Sequence, residues 1–547
     1  MDETFKILFW DFIKENQGHY ILFMVLIMCS YPVKSILLPR FYGKLFDVLK
    51  EGSVDIAAAK RLTLYIILLW IMSQCAVLGI TYIQTYIVPK YYMYFRTFLF
   101  DNILHRYKKE FKTLDAGSII IRANELPWAS KSLMFRLLND ILPLSFSIVM
   151  TVFYFSKIGF RLGLITFSAI FIIIIITYYK LDTCNVLAMN TYREVKNVND
   201  YLSDKISNMF HIYTSSNIDN EVIGNIKSED KLRISDIESG LCTLKLRGYL
   251  SIVSILCYIL SFIQCFTDYQ NQKYSVGIFV SNIYILNYYL DFLENISLEI
   301  PGLCYQTGVI RDELDYLLEL SRSDHSKETS KHTIKDGVVS VKDIHFAYKD
   351  GRKIFNGFSL DLKPKIKTAI IGKSGSGKST LMKLLMGFFN VDKGEILIDN
   401  VNITDYSLDY LRKSISYVNQ STSLFNDTIL YNITYGTGST EEETKILIDK
   451  LKLWEVFKYV DYNLHKTVGS NGSNMSGGQK QIILILRALL NKNSKMIVMD
   501  EPTSALDSKN TKLFLDILTR INNKTIIIIT HDDILIEFVD KVIYLQN

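Results

Sequence analysis

Charge is scarce over most of the first half of this 547-residue chain. Residues 16–33, 62–89, 162–179, 248–267 and 274–290 contain no Lys, Arg, Asp or Glu at all, and neither does 141–156. With 49% hydrophobic residues, 21% charged residues and a mean hydropathy of +0.16, the chain is too apolar to be soluble throughout. Cysteine is thinly used. The seven present stop at Cys304, with no CxxC pair and no zinc-type spacing, which argues against a cysteine-held metal. They are expected as small buried apolar residues, and their absence from the second half fits a reducing compartment. A net charge of +5 is too small over this length to suggest nucleic acid as a partner. The opening "MDETFKILFWDFIKENQ" has acids before its first lysine and no small-residue cleavage site. It reads as a surface amphipathic helix rather than a signal peptide, so the first apolar run is expected to stay.

A bilayer core takes about 20 mainly apolar helical residues. The six uncharged runs come close to that, the third needing Leu137 and Leu138 to extend it. Pro32, Pro39 and Pro143 are tolerable because neighbouring membrane helices satisfy the freed carbonyls. The link 90–136 carries nine Lys/Arg against four Asp/Glu, which places it in the cytoplasm. Alternation then puts both chain ends there too. The outward links are short apart from 40–61, whereas 90–136 and 180–247 are long and helix-like, as if the spans continue into the cytosol. Six spans with such extensions exceed what an anchor needs.

After the serine- and lysine-rich stretch 320–337, short β-branched runs alternate with helical patterns: "VVSVKDIHFAY", "TAIIG", "EILID", "ISYV", "KMIVMD", "TIIIIT" and "KVIYLQ". That alternation predicts an α/β domain around a largely parallel sheet. "GKSGSGKST", residues Gly372, Lys373, Ser374, Gly375, Ser376, Gly377, Lys378, Ser379 and Thr380, follows one strand and opens a helix. In that context backbone N–H groups wrap phosphates, Lys378 reaches the β/γ oxygens and Ser379 ligates Mg²⁺. "KMIVMDE" carries Asp500 and Glu501 to a strand end, where open α/β sheets bind ligands. Asp500 suits Mg²⁺, and Glu501 suits a general base acting on water. His531 and Gln420 end neighbouring strands, the first aimed at a γ-phosphate, the second at Mg²⁺ or the water. A second glycine-rich helix start, Ser476, Gly477, Gly478 and Gln479 in "MSGGQ", is another ready anion site.

In this order, Tyr348, "GKSGSGKST", Gln420, "MSGGQ", "MIVMDE", "SALD" and His531 resemble the nucleotide-binding domain of the ATP-binding cassette transporter family. The six spans resemble the membrane half of its exporter-type members. The resemblance implies a membrane α-helical bundle of six transmembrane helices with long cytoplasmic extensions, plus an α/β P-loop NTPase domain with a helical subdomain. The expected division is 1–320 membrane domain, 321–336 linker and 337–547 ATPase. It implies that Tyr348 stacks on adenine and that Glu501, His531 and Lys378 are catalytic. It also implies that Ser476, Gly477, Gly478 and Gln479 cap ATP held by a second chain. "TVGSNG" (467–472) and Ser504, Ala505, Leu506 and Asp507 would line that dimer interface. One cassette and six spans make a half-transporter, with a homodimer simpler than a heterodimer.

The implied cofactors are ATP and Mg²⁺, and the implied place is a cell membrane, with the ATPase and both termini cytoplasmic. Short transverse helices near Thr113–Arg122 and Ser207–Ser215 would dock on the cassettes. Three features depart from the family pattern: Met475 for leucine, Ser470 for a common glutamate, and Asp532 for a frequent arginine. The sequons at Asn402, Asn426 and Asn432 read as chance. The expected activity is ATP-driven export by alternating access, with an apolar or amphipathic cargo. An importer or lipid flippase on the same scaffold and an ATP-gated channel are the rivals.

Overall fold

The computed structural model describes residues 3–50, 55–106, 116–319, 332–348, 351–373, 375–419, 423–521 and 524–545. The chain forms two compact units, one from Met1–His105 and Leu114–Arg322, the other containing Ser323–Asn547.

The first unit is helical. Among the described residues six helical stretches are long and apolar enough to cross a membrane: Gln17–Leu49, Ile56–His105, Ala123–Ile158, Phe160–Ser207, Ile218–Gln270 and Val276–Arg311. The helices Ile56–Arg106, Phe160–Ser207, Ile218–Gln270 and Val276–Glu319 hold 51, 48, 53 and 44 residues. At 1.5 Å per residue they run for about 66 to 80 Å, over twice the thickness of a bilayer core. Ile71, Phe171, Ile174, Leu260 and many like them point outward, as a lipid-facing surface requires.

Two prolines are absorbed by wide turns. The Leu38 N–H bonds the Val33 carbonyl and the Leu142 N–H bonds the Leu137 carbonyl, each five residues back. Pro39 and Pro143 follow directly, so the turn widens where the next donor is missing. Buried hydroxyls tie the bundle together. Tyr289 donates to the Thr166 carbonyl at 2.8 Å and Tyr154 to Asn282 at 3.0 Å. Glu294 of the last span lies 3.7 Å from Arg247 of the fifth.

The N-terminal helix Glu3–Glu15 buries Phe12, whose ring lies 5.1 Å from that of Tyr91. Two expectations need correction. The segment Thr113–Arg122 forms no separate transverse helix from Ala116 on, because a continuous helix runs Ala116–Arg136; Thr113 itself lies outside the described residues. Two of the cysteines are not free. Cys184 and Cys242 form a disulfide between the fourth and fifth spans. The short helix expected near Ser207–Ser215 is present at Met209–Thr214, with Phe210 and Tyr213 exposed.

The first and sixth spans cross at two glycines. A Cβ on Gly43 would meet the Gly277 carbonyl oxygen at 2.2 Å, and one on Gly277 would meet the Gly43 oxygen at 2.1 Å. Asp47 caps the same junction, accepting from the Gly277 N–H at 2.7 Å. Gly277→Val is therefore expected to lower the detergent melting temperature and the yield of monodisperse protein. Gly240→Ala, where a Cβ meets nothing within 4 Å, leaves both unchanged.

Among the described residues of the second unit nine strands form two sheets: β1 Val339–Ala347, β2 Lys353–Leu362, β3 Lys367–Ile371, β4 Lys393–Ile398, β5 Val401–Asn402, β6 Ile415–Val418, β7 Met496–Asp500, β8 Thr525–Ile529 and β9 Lys541–Tyr544. The five-stranded sheet β6-β7-β8-β3-β9 is parallel, as the strand–helix alternation predicts. The four-stranded antiparallel sheet β2-β1-β4-β5 was not foreseen. Its β2, "KIFNGFSLDL", contains Asn356, Gly357 and Asp361, which mask the strand pattern. The central parallel strands β7 and β8 are buried on both faces. Met496, Val498, Ile527 and Ile529 join one apolar cluster, while Ile497, Met499, Ile526 and Ile528 join the other. This is why "MIVM" and "IIII" are unbroken apolar runs rather than alternating ones.

One acid fastens the entry to this unit. Asp399 accepts from the N–H groups of Lys335, Asp336, Gly337 and Val338 at 2.7 to 3.3 Å. Burial opposes its charge, but those four donors outweigh it and hold the carboxyl below the usual aspartate range. A depressed carboxyl stabilises the fold above its unfolded pKa of about 3.9 and loses that contribution as pH falls through the lower folded value. Asp399→Asn is expected to cost about 2 kcal/mol at neutral pH and to flatten acid melting below about pH 4 relative to the parent, both read by thermal unfolding.

Candidate active site

Strand register sets the site. Ile370 of β3 pairs with Ile529 of β8, and Ile529 pairs with Asp500 of β7. Three chain segments therefore leave the same carboxyl edge together: the glycine-rich loop after β3, Glu501 after β7 and His531 after β8. With strands about 4.8 Å apart, β3 and β7 are separated by about 10 Å, a span suited to a polyphosphate.

The loop after β3 turns at Gly377, whose φ of +94° caps the helix Lys378–Leu385. A Cβ there would meet Ile354 at 2.7 Å and Phe355 at 2.9 Å, so a side chain is excluded both by conformation and by space. Lys378 is 7% exposed, its ammonium donating to the Gly372 carbonyl at 2.6 Å and the Lys373 carbonyl at 3.1 Å. Burial lowers its pKa, opposed by the charges of Glu501 and Asp500. The Ser376 hydroxyl is buried without a partner among the described residues, and Ser379 is exposed at the helix start. Ser374 and Gln420 lie outside the described residues.

Asp500 is 5% exposed and accepts from the Tyr417 hydroxyl at 3.2 Å. Burial, then Asp500 itself, raises the Tyr417 pKa, so that hydroxyl stays a donor. Glu501 has a φ of 50°, unusual for a residue with a side chain. Its N–H donates to the Ile529 carbonyl at 2.9 Å, and its carbonyl accepts from the Ser504 N–H and hydroxyl. The strained turn aims its carboxylate at His531, whose Nε2 lies 3.3 Å away. The two are thus neighbours. Tyr417 could have been suspected from the sequence, standing three residues before Gln420 on an apolar strand.

Tyr348 is half-buried. Its hydroxyl shares a hydrogen bond with Thr380 at 2.8 Å, its ring meets Phe346 and Phe389 edge-on, and the Arg352 guanidinium lies 5.3 Å from the ring centre. Tyr348 is therefore fixed to the helix that follows the loop.

The second glycine-rich start is built from a different part of the unit. Ser476 caps the helix Gly477–Leu490, accepting from the Gln479 N–H, while its own N–H donates to the Gln479 side chain at 2.8 Å. Ser476 and Gly477 are exposed. A Cβ on Gly477 would lie 3.3 Å from Ala505, and one on Gly478 would lie 3.5 Å from Leu506. Asp507 caps the next helix, Ser508–Thr519, bonding the Asn510 N–H at 2.8 Å.

The departures now have local explanations. Met475 is 9% exposed within the apolar cluster, as a leucine would be. Asp532 caps the short helix Asp533–Ile536 through the Ile534 N–H at 3.0 Å. Ser470 begins an exposed turn and nothing in its contacts explains the exchange for glutamate. Asn432 is fully buried and bonded to the Phe425 backbone, which removes its sequon from consideration.

Residues 355–504 match the family model described as ABC transporter. An ATP-dependent lipid A-core flippase of Francisella novicida is 38% identical over 238 residues, 43% of this chain and 39% of that protein. One from Colwellia psychrerythraea, named flippase 1, is 34% identical over 319 residues, 54% of this chain and 52% of that protein. The chain thus spans about two-fifths to half the length of the curated relatives it matches. A solved structure of a bacterial Atm1-family ABC exporter with ATP bound superposes with a TM-score of 0.82, covering 97% of this chain and 94% of that one at 21% identity. Residues 355–504 are thus similar to the ABC transporter family. The chain as a whole has the fold of that exporter structure, with six apolar helical stretches among the described residues followed by an α/β unit.

Gly377→Ala is expected to reduce nucleotide affinity by at least about tenfold, since a clash under the loop of 1–2 kcal/mol or more distorts the cradle; equilibrium binding of a fluorescent ATP analogue checks it.

Proposed function

We propose that the chain is an ATP-hydrolysing half-transporter that works as a dimer and moves an apolar or amphipathic molecule outward across a cell membrane. The observation that carries this reading is the shared carboxyl edge, where the buried lysine, two acids and a histidine stand beside a glycine-built loop. The loop suits a triphosphate: Gly377 admits no side chain, and the Ser376 hydroxyl has no other partner among the described residues. Lys378 would exchange its carbonyl bonds for phosphate oxygens.

Mg²⁺ fits the donors present. Ser379 and Asp500 offer hard oxygens, and no cluster of three or more His, Cys, Asp or Glu competes among the described residues. When bound, the ion neutralises phosphate charge. Gln420 is assigned a supporting place there on sequence grounds alone. Glu501 would hold the attacking water and accept its proton, while His531, 3.3 Å away, orients that carboxylate and reaches the γ-phosphate. Tyr348 would present its ring to adenine.

The exposed helix start at Ser476 would serve the nucleotide of a second copy, with Gly477, Gly478 and Gln479. Ser504, Ala505, Leu506 and Asp507 would lie along the same contact. ATP touching both copies binds the joined state more tightly than the separated one, and only such a difference shifts the equilibrium. Met209–Thr214, with its exposed Phe210 and Tyr213, would receive the motion. The charge of 90–136 supports a cytoplasmic ATPase. The relatives named as lipid A-core flippases support an amphipathic lipid as cargo.

Glu501→Gln in the full chain is expected to slow ATP turnover by at least about a hundredfold, while ATP still drives two copies together on size exclusion. Parental turnover in that variant would remove Glu501 from the chemistry.

A further inference from the structure

The disulfide between Cys184 and Cys242 has no part in the reading above. It joins the helices Phe160–Ser207 and Ile218–Gln270 across 58 residues of sequence, with the two Cα atoms 5.7 Å apart. Cys184 stands five residues beyond the uncharged run 162–179, and Cys242 six residues before 248–267. At 1.5 Å per residue both lie within about 9 Å of the same end of those runs. The bond therefore sits where the two helices leave the apolar layer, at the root of the hairpin whose tip is Met209–Thr214.

The two sulfurs differ in access. Cys184 is 0% exposed, packed with Ala188, Leu246, Leu250 and Cys304, whereas Cys242 is half-buried on the rim of that cluster. Attack on a disulfide needs an open path to one sulfur. Here only Cys242 offers one.

We propose that Cys184–Cys242 is a thiol–disulfide switch that clamps this hairpin. The proposal rests on the reading of the chain as an ATP-driven transporter with the hairpin on the cytosolic side. In reduction the thiolate of a small thiol, glutathione, attacks the Cys242 sulfur. A new S–S bond forms there, the old one breaks, and Cys184 leaves as a thiolate that takes up a proton. A second glutathione attacks the mixed disulfide, releases Cys242 as a thiol and departs as glutathione disulfide. Two electrons and two protons pass to the protein. Oxidation by glutathione disulfide is the reverse. With the bond closed the two helices cannot slide past one another, and sliding of packed helices is a common way to transmit domain motion. The oxidised form is the slow one.

The test uses the full chain in lipid vesicles equilibrated with either glutathione or glutathione disulfide. Peptide mass spectrometry is expected to find a linked Cys184–Cys242 peptide only after oxidation. Cys184→Ser acquires glutathione on Cys242, while Cys242→Ser acquires none on Cys184. ATP turnover is expected to be at least about fivefold faster in the reduced protein, and both serine variants to lose that dependence. No linked peptide after oxidation, glutathione on Cys184 in Cys242→Ser, or equal turnover in the two states would each overturn the switch. Absence of ATP turnover in the reduced protein, with the linked peptide still forming and breaking, would instead overturn the transporter reading.

Discussion

Three parallel strands ending at one level are the constraint on which the candidate site depends. Ile370, Ile529 and Asp500 share a register line, and every residue beneath them on β7 and β8 is buried and, apart from Thr525 at the far end, apolar. A charge cannot move down into such a sheet without losing its water, and a slip of one residue would turn the opposite faces of β7 and β8 into the wrong layers. Apolar packing thus fixes the height at which the polar residues emerge. Lys378, Asp500, Glu501 and His531 owe their proximity to that height, although they are spread over more than 150 residues of sequence.

The same edge connects the two glycine-rich helix starts through the backbone. The Glu501 carbonyl is held by Ser504, and Ala505 fits against Gly477. Larger residues at Gly477 or Gly478 would press on Ala505 and Leu506, so the glycine pair is set by packing within the chain as well as by access to an anion. Ser476 and Gln479 satisfy each other in a capping box. That leaves the remaining N–H groups at the helix start as the ones available to an incoming phosphate, and it shows why a serine and a glutamine flank the glycines. The chain has two phosphate-ready starts because each is built into a different part of the unit, and the proposed dimer gives the exposed one a ligand.

What was legible in the sequence follows from local physics. Uncharged runs marked the six spans, because charge and lipid exclude each other; unbroken apolar runs marked β7 and β8, because both faces are covered. The antiparallel sheet was hidden: β2 lies at a sheet edge with polar residues in its course, and its register slips twice against β1 near Ile344. Asp399 was invisible as well, since its four partners lie more than 60 residues away. The Cys184–Cys242 pair could not be read from spacing, because it depends on how two long helices align. Of the candidate site, Lys378, Asp500, Glu501 and His531 were named from local motifs. Tyr417, which donates to Asp500 across strands, was not.

The long helices impose a mechanical condition on any account of the membrane unit. A continuous helix of 48 or 53 residues is a stiff rod, and displacement at one end reaches the other unless something along it yields. In the first and third spans the yielding points are visible as the wide turns before Pro39 and Pro143. The fourth and fifth helices contain no proline, so their adjustable element is the contact between them rather than a kink within either. A covalent tie between two unkinked rods therefore acts on the one freedom they retain, which is why the bond at Cys184 and Cys242 matters more for movement than a similar bond beside either proline would.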